Sequence, residues 1–243
     1  MERETTRDES MDKPLPLWLM LLIPISAGGV LAIFLFPVAN DWRWLEGWAC
    51  TITFAINVGI SYTIINYKNP RVIRNRAKIK KEGLTDVTRK PAGSDRFILP
   101  MMSVGVFGAL IVAGLAHRFD WPAIPLGLEV VGLVLSNVGL IIMNTATLQN
   151  SYASKLLDIN KEQVLINTGL YAHVRHPLYA GGVLTILTIP IALGSWWGLI
   201  PAAVGALALV IRIEFEEEML IKGMDGYADY QKRVRYKLIP KVY

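Results

Sequence analysis

"LPLWLMLLIPISAGGVLAIFLFPVA", residues 15–39, contains no charged side chain. Crossing about 30 Å of hydrocarbon takes about 20 helical residues, so the block is long enough to span a bilayer. It exceeds the apolar core of about 7–15 residues found in a signal peptide, and it is read as a retained transmembrane helix. The same length test, applied outward, finds further apolar stretches at about 44–66, 98–116, 121–143, 178–195 and 196–213. The last two are joined by "LGSWWG" (193–198) and are expected to form a tight helical hairpin. Pro122, Pro190 and Pro201 fall in or near these stretches, where neighbouring helices tolerate them. The expected fold is all-α: a polytopic integral membrane protein with about six transmembrane helices.

The composition agrees with that class. Hydrophobic residues make up 53% of the chain and charged residues 19%, and the two kinds segregate into blocks instead of interleaving as in a soluble domain. Of the 25 Lys and Arg, all but Arg43 and Arg118 lie in segments on the N-terminal side of the expected spans. The positive-inside rule then puts both termini in the cytoplasm. The net charge of +5 reads as topology and anionic-lipid contact, not nucleic-acid binding; the basic loop 67–97, with "RVIRNRAKIKK" at 71–81, is its densest part. A single cysteine, Cys50, excludes an intramolecular disulfide and a cysteine-based metal centre. Trp42, Trp44, Trp48, Trp121, Trp196 and Trp197 collect near the opposite ends of the spans, as interfacial aromatic belts do. Asn57, Ser61, Asn137 and Asn144 are expected to hydrogen-bond between helices. Glu129 is assigned a packing or interfacial role, and His117, Arg118 and Asp120 a solvated turn.

The chemistry concentrates in two places. "YAHVRHPLYAGG" (171–182) holds two of the three histidines at the cytoplasmic start of the fifth span. Pro177 suits the first helical turn, the free N–H groups there favour an anion, and Arg175 and His176 add donors. Gly181 and Gly182 would let a ligand or a neighbouring helix approach closely. The sixth span returns to the same side and ends in "RIEFEEEML" (212–220). Arg212 and Glu216, four apart, share a helix face, while Glu217 points about 100° away. Glu214 and Glu218 read as solvated. Several carboxylates at a helix C-terminus are unfavourable without a cationic partner. The hairpin should bring the two clusters together, where a ligand carrying both a carboxylate and an ammonium would fit.

These stretches resemble the isoprenylcysteine carboxyl methyltransferase family, specifically its prokaryotic members, which share motifs with phospholipid N-methyltransferases. The family's L-V-x-x-G-x-Y-x-x-x-R-H-P-x-Y-x-G pattern appears as "LINTGLYAHVRHPLYAG" (165–181), with Ile166 for Val. R-I-x-x-E-E-x-x-L, followed by G-Y-x-x-Y-x-x-R-V and an I-P end, appears as "RIEFEEEML…GYADYQKRVRYKLIP" (212–240). Met224-Asp225 replaces a Phe-Gly common in the family, and Gln163 stands where eukaryotic members often have His. The resemblance covers about 145–240, and it divides the chain into an N-terminal four-span region (1–143) and a methyltransferase region (144–243).

The resemblance implies an S-adenosyl-L-methionine-dependent enzyme of the inner membrane with its site facing the cytoplasm. By position, the cofactor would be lined by Gln163, Val164, Leu165, Ile166, Tyr171, His176, Pro177, Leu178, Tyr179, Glu216 and Glu217. Arg212 would bind the substrate, and Arg212, Glu216 and His176 would form the catalytic set, without a metal. A lipophilic small molecule or a lipidated substrate, arriving among membrane lipids, is the expected acceptor. Methylation of a carboxylate, of a phospholipid or other lipid amine through His173 or His176 as base, and non-catalytic binding of anionic lipid all stay open, as does the oligomeric state.

Overall fold

The computed structural model describes residues 13–70, 73, 95–150 and 164–243. Gln163 and most of the basic loop 67–97 lie outside the described residues. Among the described residues the regular structure is helical, apart from one isolated antiparallel bridge between Ala123 and Ser195. The helices are α1 (Leu17–Ala39), α2 (Leu45–Lys68), α3 (Asp95–Arg118), α4 (Leu126–Gln149), α5 (Pro177–Ala192), α6 (Leu199–Gly223) and the short α7 (Tyr227–Arg233), with a 3-10 turn at Gly169–Ala172.

Four of these, α1 to α4, are long and apolar enough to cross a membrane. α5 is apolar but has 16 residues, about 24 Å at 1.5 Å per residue, so it is shorter than the expected fifth span. α6 has 25 residues and continues well past the expected boundary at 213, carrying Arg212 and the whole acidic cluster inside one helix. Pro24, Pro37, Pro100 and Pro190 all sit within helices. Asn40, left-handed at φ 53°, ends α1 where a short polar side chain can adopt that conformation.

The turns gather at one end of the bundle. His117 Nε2 lies 3.0 Å from Asp41 Oδ2, so this histidine is paired across the α1–α2 turn and not merely solvated as expected. Ile124 N–H donates to Gly194 O at 3.0 Å, and Trp121 meets Trp197 edge-on. Trp44, expected in the aromatic belt, is instead 2% exposed and stacks on His117. Glu129 lies beside Gly194 at this same end. The apolar core here joins Leu35, Phe36, Trp44, Leu110, Ala113 and Leu193.

α5 packs most extensively on α4 and α6 on α3, while α5 and α6 also meet. Small residues make both crossings possible. A Cβ at Gly105 would fall 2.2 Å from the Cα of Gly205, and one at Gly181 would fall 2.5 Å from Gly139 O. Close backbone approach through glycine is a common way to join helices in lipid, where no hydrophobic effect drives them together. Gly181 therefore admits a helix. Polar side chains add to the α2–α4 contact: Asn144 Nδ2 donates to Asn57 Oδ1 at 2.9 Å, and Asn137 Nδ2 to Thr53 Oγ1 at 3.3 Å. The division expected at 143/144 falls inside α4, and α4 packs along α5 across it.

Candidate active site

At the other end of the bundle the "RHP" segment, the end of α6 and the C-terminal tail converge. Tyr171 is buried in the 3-10 turn; its carbonyl accepts a 2.7 Å hydrogen bond from Tyr230 Oη. Leu170 N–H donates to Gln149 Oε1 at 2.9 Å, which ties the turn to the end of α4. Arg175 and His176 donate their backbone N–H groups to Tyr236 O and Lys237 O, each at 2.9 Å. His176 is the N-cap of α5, and Pro177 occupies the first turn, where its missing N–H costs nothing.

Arg175 is enclosed. Its Nε and Nη2 donate to Glu217 Oε1 and Oε2 at 2.5 and 3.1 Å, and its Nη1 donates to Val234 O and Arg235 O at 2.8 Å each. His176 Nε2 lies 3.1 Å from Glu217 Oε1, and Gln231 Nε2 donates to Glu217 Oε2 at 3.3 Å. Burial pushes the Glu217 carboxyl up, but the hydrogen bonds from His176 and Arg175 outweigh it and hold its pKa at about 2. Burial likewise opposes the charge on Arg175, and Glu217 restores it, leaving that pKa raised. The anion at the start of α5 is thus the protein's own Glu217. Both its oxygens and the Arg175 fork are engaged by protein groups.

Glu216, one residue earlier and about a quarter-turn round α6, faces a different neighbour. Tyr179 Oη donates a short hydrogen bond to Glu216 Oε2. The Tyr179 ring lies 5.7 Å from the His176 ring, and Arg212, Glu216 and Asp95 are all near enough to act on Tyr179 through space. Arg212 is 4% exposed; its Nη2 sits 3.6 Å from Asp95 Oδ2 and its Nη1 3.9 Å from Met102 Sδ. Arg212 therefore turns toward α3.

The remaining expected residues are distributed around this group. Pro177 is buried, Leu178 and Ile166 are half-buried, and Val164 is exposed. Leu165 packs against a cluster of Leu220, Met224, Tyr227 and Tyr230. Gly226, at φ 79°, starts α7 from the left-handed region, which explains a glycine before Tyr227. The departure at Met224-Asp225 falls in the turn between α6 and α7 and leaves this glycine's role intact. Glu214, expected to be solvated, accepts from Lys237 Nζ at 2.5 Å and Tyr243 Oη at 2.6 Å. Glu218 is exposed and pairs with Lys222. His173 is exposed.

Asp95 and the carbonyls of Val234, Arg235, Tyr236 and Lys237 were not anticipated. Backbone acceptors leave no mark in a sequence. Asp95 stands alone before an apolar run, where an acid is ordinary helix-start chemistry.

Residues 128–224 match the family model described as phospholipid methyltransferase. Over that stretch the chain is similar to membrane methyltransferases. The resemblance drawn from the two motifs holds over this region, which includes the whole "RHP" segment and the acidic end of α6. A solved structure of the eukaryotic intramembrane Ras methyltransferase, isoprenylcysteine carboxyl methyltransferase, determined without a monobody, is 19% identical to the chain; the match covers 93% of this chain and 85% of that one, with a TM-score of 0.48. No curated protein matches the chain.

Among the described residues no cluster of His, Cys, Asp or Glu could hold a metal ion. The residues do suit S-adenosylmethionine. Glu216 offers a carboxylate beside the aromatic rings of Tyr179 and His176, and Tyr227 Oη is buried without a hydrogen-bond partner among the described residues, next to Leu165. A cation-accepting carboxylate, aromatic faces for a sulfonium and an unmet polar atom match part of what such a molecule carries.

Proposed function

We propose that this protein transfers a methyl group from S-adenosylmethionine to a lipophilic acceptor at the cytoplasmic face of the membrane. The helices would make six crossings with both termini in the cytoplasm, which the Lys and Arg asymmetry supports. Gln163 to Ile166, Tyr171, His176 to Tyr179, Glu216 and Glu217 would line the cofactor. The bound cofactor supplies an electrophilic methyl on a sulfonium; the protein positions, orients and excludes water.

The acceptor favoured is a carboxylate on an isoprenylcysteine-like molecule. The observation that carries this reading is the engagement of His176 Nε2 by Glu217. An amine acceptor at neutral pH must first lose a proton, and Nε2 of this histidine is already paired with Glu217, which leaves only Nδ1 to take one. A carboxylate, with a reference pKa near 4, is already deprotonated and needs no base. Arg212 would orient it by charge-assisted hydrogen bonds. With the cofactor bound, an acceptor carboxylate oxygen would take its methyl as the methyl–sulfur bond breaks, leaving the neutral thioether, and no protein group would need to accept a proton. Glu216, held by Tyr179, would bind the cofactor's ammonium.

N-methylation of a phospholipid amine is the second reading. It is favoured by the description of the matching family model, with the exposed His173 as the available base. Membranes incubated with radiolabelled S-adenosylmethionine decide between them: base-labile label in the lipid extract marks an ester, stable label an amine. Arg212→Ala and Glu216→Ala are each expected to lose turnover while the protein still folds, and wild-type turnover in both purified variants would sink the assignment. A non-catalytic lipid-binding scaffold would show no calorimetric signal with S-adenosylhomocysteine in detergent.

A further inference from the structure

We infer that Asp95, at the start of α3, is a positioning residue for methyl transfer, holding the Arg212 guanidinium in the orientation that receives the acceptor. The inference rests on the reading of Arg212 as the acceptor-binding residue and adds a residue from outside the two motifs.

The Asp95 side chain is wholly enclosed and Arg212 is 4% exposed, with Nη2 and Oδ2 3.6 Å apart. Enclosing two opposite charges is weak evidence for stability, because apolar residues of similar volume often serve the fold as well or better. An enclosed pair beside a functional cluster asks for another reason. α3 supplies two neighbours to Arg212, Asp95 and Met102, and they are seven residues apart, which places them on one face of that helix. The two helices approach closely at the Gly105–Gly205 crossing, where an added Cβ would meet backbone. The Asp95 carboxylate, 3.6 Å from Nη2, draws the planar guanidinium toward α3 and so biases where its other N–H groups point.

One turn further along α6, Glu216 meets Tyr179. Charges on α6 therefore alternate in partner: Arg212 with α3, Glu216 with α5, and Glu217 with Arg175 before α5. The N-terminal half of the chain thus contributes a charged group to the site, and not only membrane anchorage.

The test uses the full-length protein in native membranes with radiolabelled S-adenosylmethionine, and the purified protein with S-adenosylhomocysteine by calorimetry. Asp95→Asn is expected to lower label transfer about ten- to hundredfold, the range for misplacing a reacting group by an ångström, with the S-adenosylhomocysteine Kd within about twofold of wild type. Asp95→Glu, which restores the charge, is expected to recover most of the transfer. Wild-type transfer in Asp95→Asn overturns the inference, and so does a matched loss of transfer and S-adenosylhomocysteine binding, which would mark a merely structural role. If Asp95→Asn fails to fold, the charge swap Asp95→Arg with Arg212→Asp decides. The pair is retained but an anion now faces the acceptor, so a folded, S-adenosylhomocysteine-binding protein with no transfer is expected, and an active swap overturns the inference. Arg212→Ala is measured alongside: if it stays active the functional reading fails, whereas if it is dead while Asp95→Asn is fully active, only the Asp95 inference fails.

Discussion

Arg175 grips Glu217 through two hydrogen bonds, Nε to Oε1 at 2.5 Å and Nη2 to Oε2 at 3.1 Å, with both side chains 7% exposed. A planar fork on a carboxylate is the strongest geometry an ion pair offers. The same guanidinium reaches the carbonyls of Val234 and Arg235, so one side chain fastens the approach to α5, the end of α6 and the C-terminal tail. Removing one partner of an enclosed pair strands the other charge and costs about 3–5 kcal/mol. Arg175→Ala and Glu217→Ala are therefore each expected to lower the thermal midpoint in detergent sharply. The double variant should lose much less than the sum of the two, and additive losses would show that the pair is not coupled.

The pH dependence follows from the same pair. Glu217 is held at about 2 against an ordinary value of 4.5, and a depressed folded-state carboxyl pKa contributes stability above its unfolded value. That contribution is fully present at neutral pH and is lost as pH falls from about 4.5 toward 2. Thermal midpoints measured across this window should fall for the wild-type protein more steeply than for Glu217→Gln, which has no carboxylate to protonate there. Parallel curves would assign the acid lability to other groups.

The C-terminal tail carries a separate expectation. Truncation after Arg233 removes four carbonyls that accept from Arg175 and His176, as well as the buried Val234 and Leu238. Buried donors without acceptors cost about 1–3 kcal/mol each, and more when charged. The truncated protein should bind S-adenosylhomocysteine at least about tenfold more weakly. Val234→Ala with the backbone intact should bind nearly normally, because the tail's contribution lies mainly in its main-chain oxygens.

Much of this architecture could be read from residue order, and the rest could not for identifiable reasons. The meeting of "RHP" and "RIEFEE" was legible because a six-residue connector forces the two ends of a hairpin to the same side. The separate fates of Glu216 and Glu217 were latent in their 100° offset: one faces Tyr179, the other Arg175. Free donors at the start of α5 were expected from Arg175 and His176, whereas Glu217 occupies both; helical period places a carboxylate on a face but does not say which neighbour it meets. The helical reach past residue 213 was legible in the spacing of Arg212 and Glu216, although the apolar stretch itself ends there. Asp95 was invisible as a partner of Arg212, since the contact depends on how α3 crosses α6 and not on any local spacing.

That crossing is itself testable. A Cβ at Gly105 would lie 2.2 Å from the Cα of Gly205 and 2.5 Å from its nitrogen, so neither backbone can yield without moving a helix. Gly105→Ala is expected to destabilise the protein by about 1–3 kcal/mol, the usual cost of overpacking. Gly127→Ala, where a Cβ meets nothing within 4 Å, serves as the control and should be neutral or slightly stabilising by helix propensity. Equal thermal midpoints for the two variants would contradict the close approach of α3 and α6.

The hydrogen bond from Tyr179 to Glu216 gives the sharpest local test of the cofactor assignment. A carboxylate at the end of an apolar helix needs a donor to remain in place, and a hydrogen bond to a charged group contributes about 1.5–3 kcal/mol. Tyr179→Phe removes only the hydroxyl, leaves the ring against His176, and should not disturb the Arg175–Glu217 clamp on the neighbouring face of α6. If Glu216 holds the cofactor's ammonium, releasing it should raise the Kd for S-adenosylhomocysteine about tenfold or more, with a thermal midpoint near that of wild type. Glu216→Gln should weaken binding at least as much, because it removes the charge as well as altering the hydrogen bond. Combining the two should add little, since both act on one contact. Unchanged binding in Tyr179→Phe and Glu216→Gln together would place the ammonium elsewhere, and additive losses would mean that the tyrosine acts on the ligand directly and not through Glu216.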